Sequence, residues 1–174
     1  TLNGVTAKIG YVFLPSFYGT MDRKPSDPGF RSCALDIARY IADFNAEDVK
    51  GMILDLRGNG GGLMGEAVNI LSIFLPKGSL AVSSKGNNKD SVIEYHTTSE
   101  PVDTEMPIIV LIDSGSASAS EIVAGGIQDH DRGIIMGTRS YGKGLVQSIR
   151  PLPYNGQMKV TTAKYYTPSG RCVQ

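Results

Sequence analysis

The chain has 174 residues, 41% hydrophobic and 20% charged, which supports one globular domain with its own core and excludes a disordered chain. Seventeen Lys and Arg balance seventeen Asp and Glu, so a general nucleic-acid or anionic-membrane binder is not expected. The abnormal number is glycine, 21 residues against a background of about 7%, and those glycines are clustered.

In chain order, Ile9 to Leu14 reads as a strand ended by Pro15, and residues 19–30 are a Gly-, Pro- and Asp-rich loop. From Ser32, the apolar residues Ala34, Ile37, Ala38, Ile41 and Ala42 recur at helical spacing. Val49 to Leu56 is a continuous apolar stretch short enough for a buried strand, and it runs into Arg57-Gly-Asn-Gly-Gly-Gly62. Glu66 to Leu75 resumes helical spacing. Two short strand-like pieces, 79–84 and 91–96, flank the polar turn KGNNKD, and a polar connection follows over 97–107. Ile108 to Ile112 is another buried-strand candidate, and Ser120 to Asp129 reads as a helix. Arg132–Gly137, Leu145–Ile149 and Met158–Tyr166 are further strands, the last with Val160, Thr162 and Lys164 on one face. Strands twice followed by helices predict an α/β domain with crossover connections.

No apolar run approaches the ~20 residues of a membrane span, and Thr1 opens no signal-peptide pattern. The start without Met and the stop at Gln174 inside a strand-like pattern are the marks of an excised piece. Cys33 and Cys172 allow one disulfide or none. His96 and His130 have no second ligand at metal-site spacing.

Three junctions carry candidate chemistry, each where a strand ends, the place where open α/β sheets put their sites. Gly60-Gly-Gly-Leu-Met-Gly65 formally satisfies a dinucleotide fingerprint, but Arg57, Gly58 and Asn59 separate it from the strand. What survives is a backbone that can come close to a ligand, with N–H groups at a helix start suited to an oxyanion. The second junction, Gly137 to Gly144, imitates a phosphate loop but has Gly144 and a strand after Lys143, where Ser or Thr and a helix are needed. The third, Ser114-Gly-Ser-Ala-Ser118-Ala-Ser-Glu121, ends in a capping box. A nucleophile at a helix N-terminus is compatible with that geometry, since the dipole stabilises a developing oxyanion.

A serine nucleophile needs a base. His130, flanked by Asp129 and Asp131, lies at the far end of a helix of about 18 Å at 1.5 Å per residue, too far from Ser118. Lys143 is the better candidate. A lysine acting near neutral pH must give up its charge, a differential of roughly 4 kcal/mol that desolvation can supply. Gln147 lies four positions further along a strand candidate, hence on the same face as Lys143, where its amide oxygen could orient the amine.

The segments GSASASEIVAGGIQDHDRGIIMGTRSYGKGLVQ and ILDLRGNGGG resemble the signature of the C-terminal processing, or tail-specific, serine proteases, and KIGYVFLPSFY and AKYYTPSGR also fit. The resemblance covers nearly the whole chain. It implies Ser118 as nucleophile, Lys143, 25 positions later, as general base, and Gln147 as orienting residue. Backbone N–H groups of Ala119 and of a glycine in the GGG run, Gly62 by preference, would form the oxyanion hole. It further implies a Clp-protease/crotonase-like α/β core, no metal or organic cofactor, and a place outside the cytoplasm, in a bacterial periplasm or envelope or a chloroplast lumen. The substrates would be proteins or peptides presented by their C-termini, not nucleic acid.

One departure stands out. This family commonly carries a peptide-binding PDZ domain before the protease core, and Ile9 already begins the core. The expectation is therefore a single catalytic core over 1–174 that belongs to a longer protein with an N-terminal PDZ domain; a homo-oligomer is compatible with it. Two rival readings are kept: a non-catalytic peptide-binding module that retains the fold, and a Ser-His hydrolase based on His130.

Overall fold

The structure, a computed structural model, describes residues 6–86 and 91–174. Its elements are β1 (Gly10–Phe13), α1 (Cys33–Ala46), β2 (Met52–Asp55), α2 (Met64–Phe74), β3 (Leu80–Gly86), β4 (Val92–His96), β5 (Ile108–Ile112), α3 (Ala119–Asp129), β6 (Ile134–Gly137), β7 (Leu145–Pro151) and β8 (Gln157–Tyr166). Every strand and helix expected from the sequence is present, displaced at its ends by a few residues at most. Within the turn read at KGNNKD, residues 87–90 lie outside the described residues.

Strands β1, β2, β5 and β6 form a parallel sheet in the order β1-β2-β5-β6, and the crossovers between β1, β2 and β5 include α1 and α2. Register aligns Val12, Leu54, Val110 and Ile135 across the four strands. On that face Val12, Leu54 and Val110 are buried in one core with Ile37 and Ile41 of α1, Ile70 and Leu71 of α2, and Val123 and Ile127 of α3. The opposite face is open. Tyr11, Phe13, Ile134 and Met136 are exposed there, and Ile53, Ile109 and Leu111 are half-buried. The continuous apolar runs of β2 and β5, expected to be buried throughout, are thus sealed only on alternate residues, because the helices gather on one face.

The remaining strands form a separate antiparallel sheet, β4-β3-β8-β7. This division is not visible in the periodicity, which marks strands without saying which ones pair.

The start of α1 is tied to α2 through Glu66, a buried carboxylate in the first turn of α2. Its Oε2 accepts from the Ser32 hydroxyl at 2.6 Å and the Ala34 N–H at 3.0 Å, and the Cys33 thiol donates to it at 3.4 Å. Burial, reinforced by that carboxylate, pushes the Cys33 thiol up to about 12. Both cysteines are free, with Cys33 buried and Cys172 exposed. Since the thiolate is the reactive form, iodoacetamide at pH 8 should add one label to the native protein, at Cys172, and a second only after unfolding. Intact-mass measurement reads the count, and rapid double labelling of folded protein would contradict this burial.

Candidate active site

The site forms where β2 and β5, adjacent and parallel, reach their C-terminal ends. After β2 the chain enters the glycine segment, and after β5 it enters the serine-rich turn leading into α3. Side chains lock the two loops together. Gly58 donates its N–H to Asp113 Oδ1 at 2.8 Å, the first of several hydrogen bonds that hold this carboxyl below its ordinary value. Ser116 donates to the Leu56 carbonyl at 2.7 Å and Ser120 to the Asn59 carbonyl at 2.8 Å, and both serines are fully buried.

Asn59, also fully buried, is the hub of the glycine segment. Its Nδ2 donates to the Leu14 carbonyl at 2.7 Å, its Oδ1 accepts from the Gly61 N–H at 2.8 Å, and its carbonyl accepts from Ala117 at 3.0 Å. Gly61 and Gly62 both have positive φ, 102° and 148°. They approach other parts of this same chain: Gly61 lies against the turn that holds Ser118, and Gly62 against the Phe17 backbone. The weak dinucleotide fingerprint is explained by that packing.

Ser118 differs from its neighbours. It is the N-cap of α3 with φ 57° and ψ −111°, a combination outside the allowed left-handed region for a residue with a side chain. Such strain costs on the order of 1–3 kcal/mol and persists only where the surroundings impose it. A sharp strand-to-helix turn of this kind lifts a side chain out of the sheet and presents it at the helix N-terminus. Among the described residues the Ser118 hydroxyl donates to no protein acceptor, and neither do the N–H groups of Gly62 and Ala119. The Gly61 N–H is already taken by Asn59.

Lys143 sits in the loop between β6 and β7, with its side chain exposed. The loop is held by its backbone: Tyr141 N–H donates to the Ser116 carbonyl at 3.0 Å, Gly142 N–H to Glu121 Oε1 at 2.6 Å, and Lys143 N–H to Glu121 Oε2 at 2.8 Å. That same Oε2 accepts the Ser118 N–H at 2.8 Å. The backbone nitrogens of Ser118 and Lys143 therefore share one acceptor atom, and the fold brings the two segments together.

Gln147 is placed differently from the strand argument. Lys143 precedes β7, and the β7–β8 pairing shifts register between Val146 and Gln147, so alternation cannot be counted from one residue to the other. The Gln147 amide donates instead to Thr161 Oγ1 at 3.5 Å. His130 caps the other end of α3, its Nε2 2.8 Å from the Leu80 carbonyl oxygen. No group of three or more His, Cys, Asp and Glu among the described residues is arranged to hold a metal ion. No helix among them is long and apolar enough to cross a membrane.

The sequence reading missed Asn59 and the second role of Glu121. The only signal for Asn59 is a lone amide inside a glycine run. Glu121 was visible solely as a capping-box residue, which it is, since its carboxylate returns to the Ser118 N–H.

A serine held on a strained turn at a helix N-terminus is an arrangement that serine hydrolases use. Residues 8–174 match the profile of peptidase family S41, and the chain belongs to that family. It is 51% identical over 170 residues to the carboxy-terminal-processing protease of Bartonella bacilliformis, covering 98% of this chain and 37% of that protein. To the chloroplastic C-terminal processing peptidase of Tetradesmus obliquus it is 36% identical over 130 residues, covering 75% of this chain and 28% of that one. A solved structure of the photosystem II D1 C-terminal processing protease superposes with a TM-score of 0.80 at 30% identity, over 95% of this chain and 39% of the other. The α/β core with crossover connections implied by the resemblance is the one observed. The chain spans less than two fifths of the length of each of these relatives.

Proposed function

We propose that this chain is the catalytic core of a serine endopeptidase that cleaves proteins at or near their C-termini through an acyl-enzyme. Ser118 Oγ attacks the peptide carbonyl while the neutral Lys143 amine takes its proton. As the C–N bond breaks, the Lys143 ammonium returns that proton to the departing amine, and water activated by the same lysine then hydrolyses the ester. The N–H groups of Gly62 and Ala119 receive the oxyanion, a contribution of about 10²–10³ in rate for one such donor. Gln147 takes the orienting role that the family resemblance implies. The proposal extends to an extracytoplasmic location and to an N-terminal PDZ domain that selects C-terminal tails. The bacterial and chloroplastic relatives support the location, and the PDZ domain is what the family resemblance implies.

The observation that carries this reading is the setting of Ser118. Of the four serines in the turn, Ser116 and Ser120 are buried and spend their hydroxyls on the glycine segment, Ser114 is exposed, and Ser118 alone is in a strained conformation, against Gly61 and next to the Ala119 N–H, which has no protein acceptor among the described residues. A fluorophosphonate incubated with the full-length protein should add one covalent adduct, mapped to Ser118 by peptide mass. A non-catalytic binding module would show no adduct even with a bound peptide, and an adduct on another serine would move the nucleophile.

A further inference from the structure

Between the end of β6 at Gly137 and the start of β7 at Leu145, the loop that presents Lys143 is anchored on one side of the lysine by the Tyr141 N–H on the Ser116 carbonyl, at 3.0 Å, and on the other by the Gly144 carbonyl, which accepts from the Tyr165 N–H at 2.8 Å. Lys143 is flanked by Gly142, at φ 84°, and by Gly144, which is buried against Val173 and Gln174. The N–H groups of Gly142 and Lys143 both end on Glu121, one on each carboxylate oxygen, at 2.6 and 2.8 Å. Glu121 is 6% exposed and stands in the first turn of α3, on the helix that carries Ser118 as its N-cap. Its Oε2 also accepts the Ser118 N–H at 2.8 Å. One oxygen thus bonds both segments of the proposed dyad, and the two nitrogens can be no further apart than the sum of those two bonds.

We infer that Glu121 is a positioning residue that sets the separation of nucleophile and base, by clamping the Ser118 turn and the Gly142–Lys143 loop to one carboxylate. The inference rests on the Ser118–Lys143 reading above. An ordinary capping glutamate closes its own helix; this one reaches out of its helix to a loop 21 and 22 positions later. Three N–H donors on an acceptor-only group satisfy a buried carboxylate. Without the carboxylate, the N–H groups of Gly142 and Lys143 both lose their acceptor, in the short stretch between the anchors at Tyr141 and Gly144. Serine and lysine must be held to within about 0.5 Å for proton transfer, and a displacement of about 1 Å can cost about 10²-fold in rate.

The test compares Glu121→Ala, Glu121→Asp and Glu121→Gln in the full-length protein, measuring kcat per active site titrated with fluorophosphonate, the single-turnover acylation rate, and the thermal midpoint. Glu121→Ala should lower kcat and acylation about 10²-fold. Asp, one methylene shorter, cannot bridge both segments and should behave like Ala. Gln keeps one oxygen able to serve Ser118 and Lys143 together and should recover part of the rate, losing the bond to Gly142. Ser32→Ala, which removes the N-cap of α1, supplies the stability control: its midpoint should fall while kcat per titrated site stays within about twofold. If Glu121→Ala does not fold, the Asp variant, too short to bridge both segments, decides alone, and parental acylation by it overturns the clamp. Parental kcat in folded Glu121→Ala, or an equal loss in Ser32→Ala, also overturns it. If Ser118→Ala or Lys143→Ala cleaves like the parent, the dyad itself fails; if both are inactive while Glu121→Ala is not, the clamp alone fails.

Discussion

Lys143→Ala is expected to lower the acylation rate by roughly 10³-fold, within the 10²–10⁴ range that a positioned general base contributes, while leaving the thermal midpoint within about 2 °C of the parent. The second half follows from exposure. Lys143 extends its side chain into solvent and buries none of the core, and surface substitutions away from packed features move stability by about 0.5 kcal/mol or less. The loop keeps its anchors, because both bonds to Glu121 come from backbone N–H groups that alanine retains.

Lys143→Arg separates a base from a mere cation. Arginine keeps the positive charge and reaches at least as far, yet its guanidinium does not deprotonate in proteins. A lysine that acts by accepting the Ser118 proton is therefore lost equally in the Ala and Arg variants. If the positive charge alone mattered, Arg would restore much of the rate. Arg variants with near-parental rates would remove the lysine from its role.

Element by element, the fold was legible because periodicity is local. Ile37 and Ile41 lie one helical turn apart and are both buried, and β5 appears with the bounds read from its apolar run. Pairing is not local. Nothing in the spacing says that β3 leaves the parallel sheet to join β8, or that the far face of β2 and β5 stays open. The site divides in the same way. On the residues alone the four serines read as a capping box compatible with a nucleophile, and the family resemblance singled out Ser118; that Ser116 and Ser120 spend their hydroxyls on the glycine segment is a matter of long-range packing. The face argument for Gln147 assumed an unbroken strand, and the register shift beside it removes that premise. Glu121 was read for its bond to its own helix; its bonds to Gly142 and Lys143 cross more than twenty residues and leave no periodic trace.

Gly61→Ala should be strongly damaging, for two reasons that act together. The first is conformational: at φ 102° a residue with a Cβ is strained by about 1–3 kcal/mol wherever it is placed. The second is contact. A Cβ there would stand 2.8 Å from the Ala117 carbonyl oxygen, 2.9 Å from Ser118 Cβ and 3.2 Å from the Ala119 nitrogen, and two of those neighbours are backbone that cannot rotate aside. Relief requires the two loops to part, yet the Asn59 carbonyl holds the Ala117 N–H and the Ser120 hydroxyl on the other side. The added methyl group therefore pushes directly on the turn that carries Ser118 and on the N–H proposed for the oxyanion. We expect destabilisation of about 2–4 kcal/mol, a midpoint lower by about 4–16 °C at the roughly 2–4 °C per kcal/mol of a domain this size, and acylation reduced at least about 10²-fold in the protein that remains folded. By contrast, Gly60→Ala, where an added Cβ meets nothing within 4 Å and φ is ordinary, should change both readouts little. Equal effects from the two substitutions would show that the segment's role is general flexibility; a large difference between adjacent glycines locates it in the contact between Gly61 and the Ser118 turn.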